Sequence, residues 1–364
     1  MVYIIVAILI FGFLIATHEL GHFMSAKWLG VKVNEFSVGM GPLVFSKQKG
    51  ETLYSIRVLP IGGYCAMEGE DDDSADPRAF GRAAGWKKAV ILSAGAAMNF
   101  LTGLLILVVL FSRAPGFYQP TIHALSPGYG LEDSGLMAGD VIYAIDGHRI
   151  YQPGNVGLFL NRADDDIDWT VLRDGEKVKL DAVQMPLRQD GTDENGRPIM
   201  RRGIMLGQTV LPATPLIRLQ QSWFMAMDYV RMVWISLEQL ISGAVGLRDM
   251  SGPLGIIDTI SEVGSNEQLS PTPMAAAYNI ASLAALIAVN LAVMNLLPIP
   301  ALDGGRIFFL VINGVLYGLF RKKIKAEHEG YVHLIGMAAL LLLMLVVTVS
   351  DVSKLFGQIG RAHV

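Results

Sequence analysis

The chain has 364 residues, 52% of them apolar and only 17% charged, with a mean hydropathy of +0.43. That balance argues against a purely soluble globule and for a protein with several membrane spans. A net charge of −4 and a pI near 6.0 exclude nucleic acid as an expected partner, because that class needs a clustered basic face. The single cysteine, Cys65, cannot close an internal disulfide and reads as a buried or cytosolic thiol.

The first predicted element is a span that starts at Val2 and runs without a charge into His-Glu-Leu-Gly-His, residues 18–22. No Lys or Arg precedes Lys27, so the segment lacks the basic start of a secretory signal and reads as a retained span. On an α-helix His18 and His22 lie about 40° apart on one face, one turn from each other, so both imidazoles reach one ion. Glu19 sits about 100° round from His18, off the ligand face but near enough to hold a water on a metal. Ionisable side chains at the end of a lipid-spanning segment cost about 2.5–3.5 kcal/mol each, which favours a function for them.

Next, Val33–Tyr64 alternates β-favouring runs with glycines around "KQKGE", which predicts a hairpin or small sheet. Its pieces "FSVGMGPLVF" and "VLPIGGY" are apolar enough to dip into the membrane interface. Further spans are predicted over Ala89–Ser112, Met274–Leu297 and Val332–Val349, each near the roughly 20 apolar residues a bilayer core requires. Between them, Gly116–Val183 gives short strands, an intervening helix and Gly turns, and "SGLMAGDVIYAIDG" resembles a PDZ domain. The polar "PLRQDGTDENGRPIMRRG" reads as a connecting loop. Ser222–Leu247, with Asp228, Arg231 and Glu238, reads as an amphipathic helix lying on the membrane or on the protein. Basic residues gather between the first two spans and again at Arg321, Lys322, Lys323 and Lys325. By the positive-inside rule both loops are cytoplasmic, which places both termini and the long Arg113–Pro273 segment outside.

A catalytic zinc normally takes three protein ligands and leaves a fourth position for water. The candidates for the third are His123, His148, His328, His333, His363 and Asp303. Asp303 is the best placed, in "NLLPIPALDGGRI" at the cytoplasmic end of the third span, where Pro298 and Pro300 break the helix and Gly304 and Gly305 permit close backbone approach. Taken alone, Asp303 also reads as a helix cap at a membrane boundary.

Taken in order, "HELGH", "GMGP", "PIGGY", "AAMNF", the PDZ-like segment and "NLLPIPALDGG" resemble the site-2 proteases, most closely the bacterial RseP/RasP-type regulators of sigma-factor signalling. The resemblance implies a zinc intramembrane endoprotease: Zn2+ held by His18, His22 and Asp303, Glu19 as the catalytic acid and base, and Asn295 contacting the substrate backbone or the developing oxyanion. It implies, as partners, single-span membrane proteins of the anti-sigma-factor type after a first cleavage, or remnant signal peptides. The setting would be the bacterial cytoplasmic membrane, with the active site toward the cytoplasm. A helical substrate must unwind before hydrolysis, and a strand edge within 33–64 can pair with it by β-addition, with Gly39, Met40 and Gly41 as contacts. Ala96 stands where the family usually has proline, and Arg306 where histidine is common; neither removes a ligand. "DMSGPLGI", Asp249–Ile256, reads as structural support for a gate.

The expected fold is thus a polytopic α-helical membrane protein with four transmembrane helices, a cytoplasmic-side membrane-associated β-hairpin or sheet, and one inserted extracytoplasmic PDZ domain. Its parts are a first membrane half over 1–112, the PDZ domain over 113–185, a linker with the amphipathic helix over 186–273, and a second membrane half over 274–364. Two other classes compete: a catalytically inert PDZ-bearing scaffold, against which the intact HELGH argues, and a metal-dependent transporter, for which paired repeats of spans are missing.

Overall fold

Uncharged helix-forming runs and glycine-punctuated β runs alternate along the sequence, and the secondary structure follows them. The computed structural model describes residues 2–70, 74–192, 196–246, 250–322, 324 and 326–362. Of the residues singled out above, Leu247, Asp249, Lys323, Lys325 and His363 lie outside that set. In chain order the elements are α1 (Val2–Trp28), β1 (Val33–Lys49), β2 (Thr52–Met67), α2 (Gly85–Phe111), β3 (Gly116–Leu125), β4 (Val141–Ile145), β5 (His148–Arg149), α3 (Asn155–Leu160), β6 (Asp166–Arg173), β7 (Glu176–Gln184), β8 (Arg188–Thr192), β9 (Pro198–Arg201), β10 (Ile204–Pro212), α4 (Pro215–Ile241), α5 (Pro253–Ser265), α6 (Pro273–Asn295), α7 (Asp303–Phe320) and α8 (Ala326–Ala362). They fall into two compact units, Met1–Leu110 with Tyr229–Val364, and Phe111–Asp228.

Among the described residues, five helices are long and apolar enough to cross a bilayer: α1, α2, α6, α7 and the His328–Lys354 part of α8. This is one more than the four expected, and the difference is α7. Its first residues, "DGGR", follow two prolines and read as a helix break, yet the chain turns there and resumes a helix of 18 residues. The helix α4 is not among the five.

Glycines set the closest approaches between these helices. A Cβ at Gly21 of α1 would collide with the Ala94 carbonyl of α2, and one at Gly103 of α2 would lie 2.9 Å from Val289 of α6. Gly264 of α5 leaves room for the ring of Tyr3, beside a core of Ala7, Ile260 and Ile280 that joins α1, α5 and α6. Small residues of this kind let helices pack in the absence of a hydrophobic driving force between them.

The β1–β2 pair turns at Gly50, which has φ +62. β1 changes direction near Gly39 and Gly41 (φ +86 and +84), conformations that cost a glycine little. As a result Ser37 lies opposite Tyr64 on one side and Ser55 on the other, so the start of β1 is flanked by both ends of β2. The base of this sheet buries Val33, Cys65 and Met67 against Ala26 of α1 and Ile91 of α2. Its far end exposes Val44, Phe45, Ile56 and Val58.

The second unit is built on an antiparallel path β10-β3-β4-β6-β7, with β5 on β4. Ile122, Ile142, Ile145, Ile167, Trp169 and Val171 are buried in its core. The segment after 185, which reads as linker, forms the β8–β9 hairpin and then β10, which pairs along the whole of β3 from Ile204↔Leu125 to Pro212↔Gly116. Buried Arg202 fixes the entry to β10 by donating to the carbonyls of Ala163, Asp164 and Met185.

Candidate metal centre

The uncharged run before His18 makes α1 a continuous helix through Trp28, so the His-x3-His spacing becomes two imidazoles on one face. His18 Nε2 and His22 Nε2 stand 3.2 Å apart. The third group arrives from the break between α6 and α7. Ala301 adopts φ +76, and its N–H donates to His333 Nδ1 at 3.0 Å, which ties the turn to α8. Side chains at Gly304 and Gly305 would collide with the backbone at Leu296, Leu297 and Ile299, so both glycines are required for α7 to start there. Asp303 at that start puts Oδ2 3.2 Å from His18 Nε2 and 3.3 Å from His22 Nε2.

These distances fit one tetrahedral zinc. With ligand bonds of about 2.0–2.1 Å, two ligand atoms on a tetrahedron are about 3.3 Å apart. Asp303 Oδ2 is buried and satisfies no well-formed hydrogen bond despite its two nitrogen neighbours, so the triangle encloses an electron-rich point that a cation would satisfy. His22 Nδ1 lies 2.8 Å from the Ile91 carbonyl, which can only accept, so Nδ1 carries the hydrogen and Nε2 presents its lone pair to the ion. Among the described residues, His18, His22 and Asp303 form a group of potential ligands whose atoms all lie within 4.8 Å of one another.

Gly95 of α2 seats the two rings. A Cβ there would collide with His22 Nε2 and lie 2.7 Å from His18 Cε1. Glu19 reaches β2, where a Cβ at Gly63 would come 3.6 Å from its Cγ and the Cys65 backbone N–H bonds its carboxylate, and that carboxylate stays close enough to His18, His22 and Asp303 to feel their charges. Asn295, at the end of α6, brings Nδ2 to 3.4 Å from His18 Nδ1. Gly39 borders Gly63, its nitrogen 3.9 Å from where a Gly63 Cβ would sit, whereas Met40 pairs with Leu59 and the Gly41 carbonyl accepts from Arg57 at 2.8 Å. Ala96 is fully buried, and Arg306 forms an ion pair with Glu70.

The model of peptidase family M50 matches residues 6–343. The chain belongs to this family, the site-2 proteases. A relative in Clostridium perfringens, whose name is that of a zinc metalloprotease, is 33% identical over 351 residues, covering 96% of this chain and 98% of the relative. The regulator of sigma-W protease RasP of Bacillus subtilis is 27% identical over 443 aligned residues, covering 97% of this chain and 99% of RasP. The zinc metalloprotease RasP of Bacillus licheniformis is 28% identical with the same coverage. This M50 protein is therefore a membrane-embedded zinc metalloprotease.

Three contributors to the site carried little weight in the sequence reading: Ile91, Gly95 and Asn99, all on α2. The signal was present in "GAAMNF", whose glycine and asparagine sit four residues apart and so share a helix face.

Proposed function

We propose that this M50 member is an intramembrane endoprotease in which His18, His22 and Asp303 hold zinc and Glu19 moves the protons. The observation that carries the reading is the Nε2–Nε2–Oδ2 triangle of 3.2–3.3 Å edges, closed on a buried carboxylate oxygen lacking a hydrogen bond. Zinc, when bound, supplies a Lewis acid that polarises the scissile carbonyl and activates a water. Glu19, next to His18 in sequence but turned off the ligand face, takes the proton of the attacking water and returns it to the leaving nitrogen. The Cys65 N–H holds its carboxylate for that task. Asn295 offers its amide to the substrate backbone. The unwound substrate adds to the sheet where β1 turns at Gly39, Met40 and Gly41.

The substrates are single-span membrane proteins already trimmed outside the membrane, of the anti-sigma-factor type, or remnant signal peptides. The 113–185 segment serves as a PDZ domain that helps to exclude untrimmed proteins. Four helices cross the bacterial cytoplasmic membrane. Arg306 at one end of α7 and the basic residues 321–325 at the other both belong on the cytoplasmic side, so α7 is an apolar helix that does not cross. That leaves both termini and the PDZ domain outside and the zinc toward the cytoplasm. The scaffold alternative requires a dead site, and an intact triangle with Glu19 beside it argues against that.

Zinc content and cleavage, measured together in purified variants, test this reading. Asp303→Ala should lose both, whereas Glu19→Gln should keep zinc and lose only turnover. Full zinc retention in Asp303→Ala would overturn the ligand set, and undiminished cleavage by Glu19→Gln would overturn the role of Glu19.

A further inference from the structure

Polar side chains gather on the Nδ1 side of His18, away from the zinc position. Asn99 of α2, 1% exposed, has Nδ2 3.5 Å from His18 Nδ1, and Asn295 has its own Nδ2 at 3.4 Å from the same atom. Thr17 Oγ1 lies 3.4 Å from Asn99 Oδ1 and 2.9 Å from the Leu14 carbonyl. We propose that Asn99, anchored by Thr17, is the positioning residue that fixes the ring of His18 for zinc, and that Asn295 is thereby left for the substrate. The proposal rests on the ligand set proposed above.

Ligation through Nε2 leaves the single hydrogen of a neutral imidazole on Nδ1, which must then donate. One hydrogen serves one well-directed acceptor, yet two amides converge on it. A half-turn of the Asn99 amide exchanges its oxygen and nitrogen with little movement of heavy atoms. It produces a row with one direction: His18 Nδ1–H donates to Asn99 Oδ1, Asn99 Nδ2–H donates to Thr17 Oγ1, and the Thr17 hydroxyl donates to the Leu14 carbonyl. The row ends on a group that can only accept, so its sense cannot reverse while Nε2 is on the metal. Asn295 has no comparable anchor: among the described residues its side chain makes its hydrogen-bond contact at His18 alone.

The pattern on α2 supports the same assignment. Ile91, Gly95 and Asn99 follow one another at four-residue spacing and share one face of the helix. The Ile91 carbonyl orients His22, Gly95 makes room for both rings, and Asn99 orients His18. One helix face thus sets both imidazoles on α1.

The test is zinc affinity of the full-length protein in detergent, by competition with a chelator, with the melting temperature of the metal-free form as a check on folding. Asn99→Leu should bind zinc about 10–100-fold more weakly, the usual effect of removing a partner of a metal-bound histidine. Asn99→Asp keeps an acceptor for Nδ1–H and should stay within about threefold of the parent. Asn295→Leu should also stay within about threefold in zinc affinity while losing cleavage. Parent-like affinity in Asn99→Leu, or an equal loss in Asn295→Leu, would overturn the proposal. If Asn99→Leu does not accumulate, the near-isosteric Thr17→Val decides: a loss of at least about threefold is expected, and unchanged affinity overturns it. His18→Ala separates the two levels. Normal zinc binding by that variant removes the ligand set and this proposal together; zinc loss there beside parent-like Asn99→Leu removes this proposal alone.

Discussion

The Asp351 carboxylate on α8 accepts a hydrogen bond from the backbone N–H of Gly252 at 3.0 Å, and Oδ2 of the same group accepts from Gly255 at 2.9 Å. Both donors belong to the opening turn of α5, whose N–H groups have no partner within the helix. A side chain 3% exposed on α8 therefore caps a helix that packs on α1 and α6. Asp351→Ala would leave these donors buried and unmet, at about 1–3 kcal/mol for such a group. The expected result is faster amide exchange at Gly252 and Gly255 and a lower melting temperature, with zinc content unchanged, because no ligand touches α5. Unchanged exchange across α5 would show that the cap is dispensable.

Much of this architecture was readable from local signals, and the failures share a cause. α1 with its His-Glu-x-x-His, the turn at Gly50 and the apolar runs of α2, α6 and α8 follow from periodicity and from residues within a few positions of one another. α7 was missed because "PIPALDGG" is a helix stop by every local rule, and the restart depends on Gly304 and Gly305 lying against the backbone of 296–299. β10 was missed because its partner β3 lies some eighty residues earlier and polar sequence intervenes. The contact of Asn99 with His18 is equally non-local. In the candidate site, the pair on one helix was legible from spacing, and Asp303 was preferred over five histidines from its place at the end of a span among prolines and glycines, but its reading as a helix cap gave way only with the family resemblance.

Gly95 makes a sharp prediction because two imidazoles occupy the space its side chain would fill. Gly95→Ala should displace both rings, and a misplacement of about 1 Å at a reacting centre costs on the order of 100-fold in rate. Zinc content should fall with cleavage. Gly314→Ala, on α7 where the added carbon meets nothing within 4 Å beyond its chain neighbours and the helix's own backbone, is the control. It should leave both unchanged and gain about 0.5–1 kcal/mol from helix propensity. Normal zinc binding in Gly95→Ala would mean that α1 and α2 separate readily enough to absorb a methyl group.

Cys65 reports on the packing of the sheet beside Glu19. Burial, reinforced by the carboxyls of Glu19 and Glu70, pushes its thiol up to about 12. The thiolate is the reactive form, so at pH 8 its fraction falls about 1000-fold below that of an ordinary cysteine. The native protein should resist maleimide at pH 8 and label fully in denaturant, giving one adduct by mass since no other cysteine exists. A variant that loosens β2 from α1 should label at the native pH in proportion to its opening. Rapid labelling of the native parent would contradict the burial of Cys65.

The proposed exclusion role of the second unit is best tested by removing a piece that the structure defines. A deletion ending at Val183 would strand β10, whose whole length pairs with β3. The better cut removes 117–211 and keeps Gly116 and Pro212 as its ends. Gly116 and Pro212 are directly opposed in the β3–β10 register, so their Cα atoms are about 4.5–5.5 Å apart and a short Gly/Ser bridge joins them. If the unit recruits substrates, its loss weakens cleavage of all of them uniformly. If it excludes, the zinc site is untouched and only a steric penalty against bulky outer domains disappears. The expected outcome is cleavage of a pre-trimmed single-span substrate within about tenfold of the parent, equivalent to about 1.4 kcal/mol. Cleavage of the untrimmed substrate should rise. Paired assays on both substrates, with zinc content matched, decide it: a large loss on the trimmed substrate, with the untrimmed one still refused, would mean that the unit recruits.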